Sequence, residues 1–288
     1  MIQESDYPEG MYPLVSVIIP TYNSGIYLKE AVESALDQDY PNLEIIVIDD
    51  GSTDESLDLL NPYLNRVHIV NSENYGAASA RNLGIITSSG EYLAFLDSDD
   101  KWIANKISLQ MKLMLGANLD LVYCAGQEFG LQGELGEIHV PIFEGNCYQY
   151  YKEYPSRDIV AIGPSGSVLK KSILHKSGIF DTKIPAPSED WDFFRRYCKE
   201  ARIGYCDEIL VMYRRHSHNL SSISLDNYFK GNKRAIIKLF TADTEIGFFE
   251  RRKIWLNFCI LFAKSYLKQK RFDKVFKIII LAFSPILL

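Results

Sequence analysis

From Leu14 to Cys124 short apolar runs alternate with longer stretches whose apolar residues recur three and four positions apart. The first pattern reads as buried strand and the second as helix. Strands are predicted over Val15 to Ile19, Glu44 to Ile48, Val67 to Val70, Tyr92 to Leu96 and Leu119 to Cys124. Helices are predicted over Tyr27 to Leu36, Thr53 to Leu60, Ala77 to Ile86 and Ile103 to Leu115, the second of them capped by Ser52 or Thr53. Strands separated by crossover helices pair in parallel. The expectation is therefore an α/β fold, a single Rossmann-like, mostly parallel sheet flanked by helices. After Ser222 the chain turns to helix-forming segments rich in aromatics and lysines, a helical appendage to that core.

Open parallel sheets bind ligands beyond the carboxyl ends of their strands, so the residues just past each apolar run carry the chemistry. The fourth run, Tyr92 to Leu96, ends in Asp97-Ser98-Asp99-Asp100. Carboxylates placed there suit a hard cation, Mg²⁺ or Mn²⁺, completed by phosphate oxygens. The alternative is a solvated turn with Asp100 capping the next helix. The first run is followed by Pro20-Thr21-Tyr22-Asn23-Ser24-Gly25, which offers hydroxyls and an aromatic face to a base or ribose, or is an ordinary turn. After the second comes Asp49-Asp50-Gly51-Ser52-Thr53-Asp54, where a carboxylate suits the imide N–H of uracil, or caps a helix. Three such clusters on successive strand ends point together to a nucleotide site. Arg81, on the third predicted helix, reaches back towards the nucleotide or its neighbouring carboxylates, or forms a surface charge pair.

The 288 residues, 47% of them apolar and 24% charged, describe an ordinary globular chain, one large domain with an appendage. A net charge of −6 argues against nucleic acid as a partner. The five cysteines, Cys124, Cys147, Cys198, Cys206 and Cys259, are odd in number and lack CxxC spacing, which suits a reducing compartment rather than a disulfide framework. Residues 1–12, polar and acidic, read as an N-terminal extension without the pattern of a signal peptide, so the expected location is cytoplasmic. No GxGxxG follows the first strand and no GxxxxGK[ST] occurs, so phosphate must be held by metal and side chains.

Four segments, Val17-Ile18-Ile19-Pro20-Thr21-Tyr22-Asn23, Val47 to Asp54, Ala80-Arg81-Asn82-Leu83-Gly84 and Leu96 to Asp100, make the chain resemble the family 2 glycosyltransferases of the GT-A fold, many of which assemble bacterial polysaccharides. The resemblance runs from Val15 to about Ser222. It implies a GT-A domain over 13–222, with a nucleotide-binding half at 13–124 and an acceptor-binding half at 125–222, before the helical tail 223–288. It implies that Pro20, Thr21, Tyr22, Asp50, Arg81, Asp97 and Ser98 bind the nucleotide of a UDP-sugar, and that Asp99 holds the metal, with Asp97 and His216 as further candidates. GDP or dTDP are alternative nucleotides.

Transfer to an acceptor hydroxyl requires a base. Ser188-Glu189-Asp190-Trp191-Asp192-Phe193 opens a predicted helix after Ile184-Pro185-Ala186-Pro187, and acids in a first helical turn are also favoured by the macrodipole alone. By resemblance Asp190 is the base, with Glu189 and Asp192 next. The implied reaction is an in-line displacement that inverts the anomeric carbon, the acceptor being a hydroxyl of a glycan or of a lipid-linked acceptor. Tyr213 to Asn219, after the predicted strand Ile209 to Met212, resembles the family's Arg-x-His element, so Arg214 and His216 are expected on the diphosphate; a solvated basic loop is the alternative.

Residues 254–288 interleave lysines and arginine with aromatic and aliphatic residues. Such a tail either lies on an anionic membrane, at the inner face of the cytoplasmic membrane, or packs on the core. Its last run, Ile278 to Leu288, is too short to span a bilayer. Two rival readings come from other classes. A haloacid-dehalogenase-type phosphatase would place its Asp-x-Asp after the first strand, and a non-catalytic nucleotide-sugar or glycan-binding module would have no use for Asp190.

Overall fold

The computed structural model describes residues 12–140, 148, 163–217, 219 and 224–283. The N-terminal extension up to residue 11, Tyr154, Arg157, Cys147, His218, Ser222 and the end of the terminal run lie outside the described residues. Among the described residues nine strands form one sheet in the order β3-β2-β1-β4-β8-β6-β9-β5, with β7 pairing to β6. The strands are β1 (Val15–Thr21), β2 (Leu43–Asp49), β3 (His68–Asn71), β4 (Tyr92–Phe95), β5 (Lys101–Trp102), β6 (Leu121–Phe129), β7 (Leu135–His139), β8 (Ser167–Lys170) and β9 (Ile203–Arg214).

The parallel expectation holds for β3-β2-β1-β4, where α1 (Ile26–Leu36) and α2 (Ala77–Thr87) make the crossovers from β1 to β2 and from β3 to β4. Their register places Thr21 beside Asp49 and Asp49 beside Asn71, so the polar clusters gather on one edge. Beyond β4 the sheet becomes mixed. β8 inserts antiparallel between β4 and β6, and β6 then runs parallel to β9. Four residues of β8 supply this inversion, too short a run for alternation to reveal it.

Side chains alternate across the sheet and build two cores. Val15, Val17 and Ile19 face α1 and α3 (Lys106–Gly116). Ile18, Ile46 and Ile48 face α2 and α5 (Glu189–Glu200), with α4 (Leu174–Ser177) beside it. Helix α2 sits hard on β1, because a Cβ on Gly84 would meet Ile18 Cγ2 at 2.3 Å.

The predicted helix over 53–60 is replaced by a short 3₁₀ helix at Asp58–Tyr63, which contains Pro62. Its first residues fasten loops instead: Asn23 Oδ1 accepts from the Thr53 amide and Ser56 Oγ accepts from the Ser24 and Gly25 amides. The predicted helix from Ile103 begins at Lys106, the residues before it forming β5 against β9. Lys106 is fully buried, its ammonium 4.1 Å from the Trp102 ring centroid, and burial pushes its pKa down to about 8.

The C-terminal helices α6 (Leu225–Ala242), α7 (Phe248–Lys268) and α8 (Phe272–Ala282) pack around a third core that includes Trp255, Phe258 and Phe262. Helix α6, which precedes the 254–288 segment, is tied to the core: Asn232 Nδ2 donates to Ser188 Oγ at 3.0 Å, and Lys238 reaches Asp181 and Asp192. Among the described residues no helix is long and apolar enough to cross a membrane.

Candidate active site

The strand ends open onto a cleft of about 1180 Å³ that runs from Tyr22 and Asp50, past Asp97 and Asp99, to Asp190. At the first end Thr21 Oγ1 donates to Ser24 Oγ, whose hydroxyl lies 2.7 Å from that of Ser98. The end of β1 and the acidic turn after β4 are thus tied together. Pro20 and Thr21 are buried in the cleft wall and Tyr22 projects, 48% exposed. Asp50 is 3% exposed and accepts from the amides of Tyr75 and Gly76, so its carboxylate is oriented by the loop before α2.

Arg81 does not form a surface pair. It is buried, and its guanidinium donates to Asp97 Oδ1 at 2.7 Å and to Glu189 Oε1 at 3.1 Å. Burial alone would lower the guanidinium's pKa, but the two carboxylates outweigh it and hold the charge in place. Both acids therefore share one cation, and Arg81 itself lines the cleft beside Asp97.

In the turn after β4 the three Asp part company. Asp100 is fully buried and accepts from the Ser165 hydroxyl at 2.7 Å and the Arg214 amide at 3.1 Å. Ser165 Oγ in turn accepts from the Asp97 amide, which shapes the turn. Burial and the neighbouring Asp99 and Asp97 raise the Asp100 pKa well above the ordinary value. It does not cap α3, whose N-cap is Asn105. Asp99 turns to the cleft, where its Oδ2 meets His216 Nε2 at 2.9 Å and accepts from Asn219 Nδ2 at 3.2 Å. Its pKa is raised by burial and by Asp97, with His216 opposing.

A divalent cation fits this donor set. Asp99 offers a carboxylate oxygen and His216 an imidazole nitrogen on the same side of the cleft, beside the further negative charge of Asp97. Among the described residues no cluster of three or more His, Cys, Asp and Glu could hold a metal unaided, so phosphate oxygens or water would complete the shell.

Arg214, expected on the diphosphate, is engaged away from the cleft. Its guanidinium is sandwiched between the rings of Tyr27 and Phe129, 4.5 Å from each centroid, and donates to Glu30 and the Asp99 carbonyl. It braces the acidic turn from behind and does not line the cleft. Adjacent residues of an extended chain point to opposite sides, so Arg215, two positions on from the cleft-lining Tyr213, faces the cleft, and His216, past the end of β9, joins it. The Arg215 side chain is 51% exposed, and strand alternation was the signal that could have singled it out.

The three acids of the α5 first turn also separate. Glu189 is committed to Arg81. Asp192 is fully buried and held by Arg195, Arg196 and Lys238 at 3.1, 2.9 and 2.9 Å. Asp190 is partly exposed on the cleft, its Oδ1 accepting the Trp191 amide at 2.6 Å.

The mixed α/β sheet thus opens its strand ends onto a cleft with acids on both walls. The family model "Glycosyl transferase family 2" matches residues 16–177, more than half of the chain, and the chain belongs to that family. It is a glycosyltransferase of the GT-A fold. Among curated relatives it is 32% identical to an uncharacterised glycosyltransferase of Rickettsia felis, over 75% of this chain and 37% of that protein. It is 48% identical to the putative teichuronic acid biosynthesis glycosyltransferase TuaG of Bacillus subtilis, over 36% of this chain and 42% of the relative. The chain thus spans less than half the length of these two relatives. Among solved structures, S. aureus TarS in complex with UDP-GlcNAc superposes with a TM-score of 0.66 at 19% identity, covering 92% of this chain and 90% of that one. The mannosyltransferase PcManGT of Pyrobaculum calidifontis, in complex with GDP-Man and Mn²⁺, superposes at 0.59 and 18% identity, over 81% and 65%. At these identities the likeness is one of fold.

Proposed function

We propose that this glycosyltransferase moves a sugar from a UDP-sugar to an acceptor hydroxyl with inversion at the anomeric carbon, using Asp190 as the base. One observation carries the reading. Of the three acids opening α5, Glu189 and Asp192 are spent on cations, whereas Asp190 lines the cleft. A base must lie within reach of the hydroxyl, and Asp190 would take that place from the cleft wall, on a helix that is itself anchored.

Tyr22 and Asp50 would take the base, Asp97 and Ser98 the ribose side, and Arg215 with His216 the diphosphate. Asp99 and His216 would hold Mn²⁺ or Mg²⁺, which supplies charge neutralisation for the departing diphosphate. The PcManGT complex with Mn²⁺ and the TarS complex with UDP-GlcNAc support the metal and the uridine nucleotide by analogy of fold. TuaG supports an acceptor in cell-wall polysaccharide assembly.

The test is calorimetric titration of the whole chain with UDP, GDP and dTDP, each with and without Mn²⁺, followed by transfer assays on wild type and Asp190→Asn. Metal-dependent UDP binding retained in Asp190→Asn, with transfer lost, supports the reading. Failure of every nucleotide to bind overturns it.

Peripheral membrane contact is part of the same proposal. On α8, Phe272, Phe276, Ile279 and Ile280 are exposed along one stripe, with Lys268, Lys270 and Lys277 exposed nearby. An apolar stripe edged by lysines suits an anionic bilayer surface, where a lipid-linked acceptor would be found. Co-flotation with phosphatidylglycerol vesicles, lost in Phe276→Glu, is the expected result; equal recovery with neutral phosphatidylcholine vesicles, or none with either, sinks it.

A further inference from the structure

The hairpin of β6 and β7 falls in the half of the domain that the family resemblance gives to the acceptor. Two of its charged residues, Glu128 and His139, nevertheless line the cleft beside Arg215. The strand register accounts for this. β6 runs parallel to β9 with Glu128 opposite Tyr213 and Phe129 opposite Arg214. Neighbouring residues of a strand face opposite ways, so Phe129 and Arg214 meet behind the acidic turn, whereas Glu128, Tyr213 and Arg215 face the cleft.

Three contacts fix Arg215. Its backbone N–H donates to the Phe129 carbonyl at 2.9 Å, its guanidinium lies 5.8 Å from the Tyr213 ring centroid, and its Nε reaches Glu128 Oε1 at 3.5 Å. Glu128 is fixed in its turn by β7. His139 Nε2 lies 3.1 Å from the same carboxylate oxygen, and a Cβ on Gly136 would come within 2.9 Å of Glu128 Cβ and 3.1 Å of Oε2, so the strand closes over the acid because a glycine stands there. An exposed ion pair contributes little to stability, and the use of this one lies elsewhere. A guanidinium held through Nε keeps its terminal nitrogens for a second acceptor. Arg215 precedes His216, which meets Asp99, so that acceptor would stand next to the cation site. Glu128 also brings a negative charge towards an anionic ligand, but His139 and Arg215 both engage it, and sparing Arg215 the loss of rotamer freedom on binding is the larger effect.

We propose that Glu128 is a positioning residue for the donor: it orients Arg215 so that the terminal nitrogens of the guanidinium meet the diphosphate, while β7 holds Glu128 in place through His139 and Gly136. This rests on the reading of the cleft as a nucleotide-sugar donor site, and it adds the residues that preorganise the diphosphate end of that site.

The test is a double-mutant cycle on the whole chain, with UDP affinity read by calorimetry and uridine affinity by NMR titration, both in the presence of Mn²⁺. Arg215→Ala should weaken UDP by about tenfold, the loss of a charge-assisted hydrogen bond to phosphate. Glu128→Ala should weaken it by about threefold to tenfold, the cost of ordering a long side chain on binding. Uridine, which lacks the diphosphate, should bind within about twofold of wild type in both, and its binding reports that each variant is folded. Adding Glu128→Ala to Arg215→Ala should change UDP affinity by less than about twofold, because a positioning residue has nothing to act on once its partner is gone. Glu128→Gln, which keeps an acceptor for Nε, should restore most of the affinity. A merely structural role would move uridine together with UDP and would persist in the Arg215→Ala background. Losses that add in the double variant, tighter UDP binding in Glu128→Ala, or indifference of UDP to Glu128→Ala would each overturn the inference while leaving the donor reading intact. Failure of wild type to bind UDP removes the donor reading, and the inference falls with it.

Discussion

Arg81 and Glu189 are 108 positions apart in the chain, yet they form a buried ion pair at 3.1 Å, with Asp97 on the guanidinium's other arm at 2.7 Å. One cation therefore joins the end of β4 to the start of the helix that carries Asp190. Removing it strands carboxylates: Arg81→Met should cost about 3–5 kcal/mol of stability, the usual penalty for breaking a buried pair by deleting one partner. Arg81→Lys, which cannot span both acids, should fall between. Urea unfolding measures this, and a change of less than about 0.5 kcal/mol in Arg81→Met would show that the pair carries no structural load.

Asp190 and Asp192 should respond in opposite ways. Asp190→Asn is expected to slow transfer by about 10²–10⁴-fold with little change in melting temperature, the magnitude typical of losing a general base. Asp192→Asn uncouples Arg195, Arg196 and Lys238 and should lower the melting temperature markedly. Parallel calorimetry and transfer assays separate the two, and a strongly destabilised Asp190→Asn would contradict the assignment.

Metal-dependent UDP binding should weaken on acidification sooner than an ordinary carboxylate would dictate. The cation requires Asp99 ionised, and burial with Asp97 nearby raises its pKa, so protons compete from a higher pH. Chelation with EDTA and Asp99→Ala should each abolish the Mn²⁺-dependent increment in UDP affinity, measured between pH 5 and 8. An increment that survives Asp99→Ala would place the cation elsewhere.

Lys106 is a source of instability with a defined pH signature. Its folded pKa of about 8 lies below the ordinary 10.5, so between those values the unfolded chain binds the extra proton and stability rises with pH. Below about pH 8 the full cost is present, on the order of 3 kcal/mol for a shift of this size at a fully buried group. Its Nζ has no hydrogen-bond partner among the described residues. Lys106→Met should therefore stabilise at pH 7, with the wild-type deficit shrinking from pH 8 to 10.5. A deficit that does not vary over that range would refute the mechanism.

The half of the fold legible in the sequence is the half with local logic. In β1 to β4 each strand is an apolar run closed by polar residues, and the parallel register that gathers Thr21, Asp49 and Asp97 follows from the crossover helices. The mixed half depends on pairings between segments far apart in the chain, such as β8 with β4 and β5 with β9, where runs of two to four residues carry no periodic signal. The same contrast runs through the site. Asp99 stood out as an acid at a strand end, whereas His216 and Asp190 were singled out by resemblance to the family's motifs. Arg214 looked equally suitable, but only the packing of Tyr27 and Phe129 around its guanidinium reveals that it faces away.

Helix α6 crosses the Asp190 turn so closely that a Cβ on Gly231 would lie 2.5 Å from Ser188 Oγ. The family match ends at residue 177, so Asp190 and the helix clasped behind it lie beyond the matched segment. A lineage that exchanged this C-terminal segment by recombination would replace Asp190 and the helix behind it in a single event, leaving the strand-end residues on the other side of the cleft unchanged. New linkages would then arise by graft rather than by gradual retuning of the cleft, provided each graft brought a small residue to the point where its helix crosses Ser188.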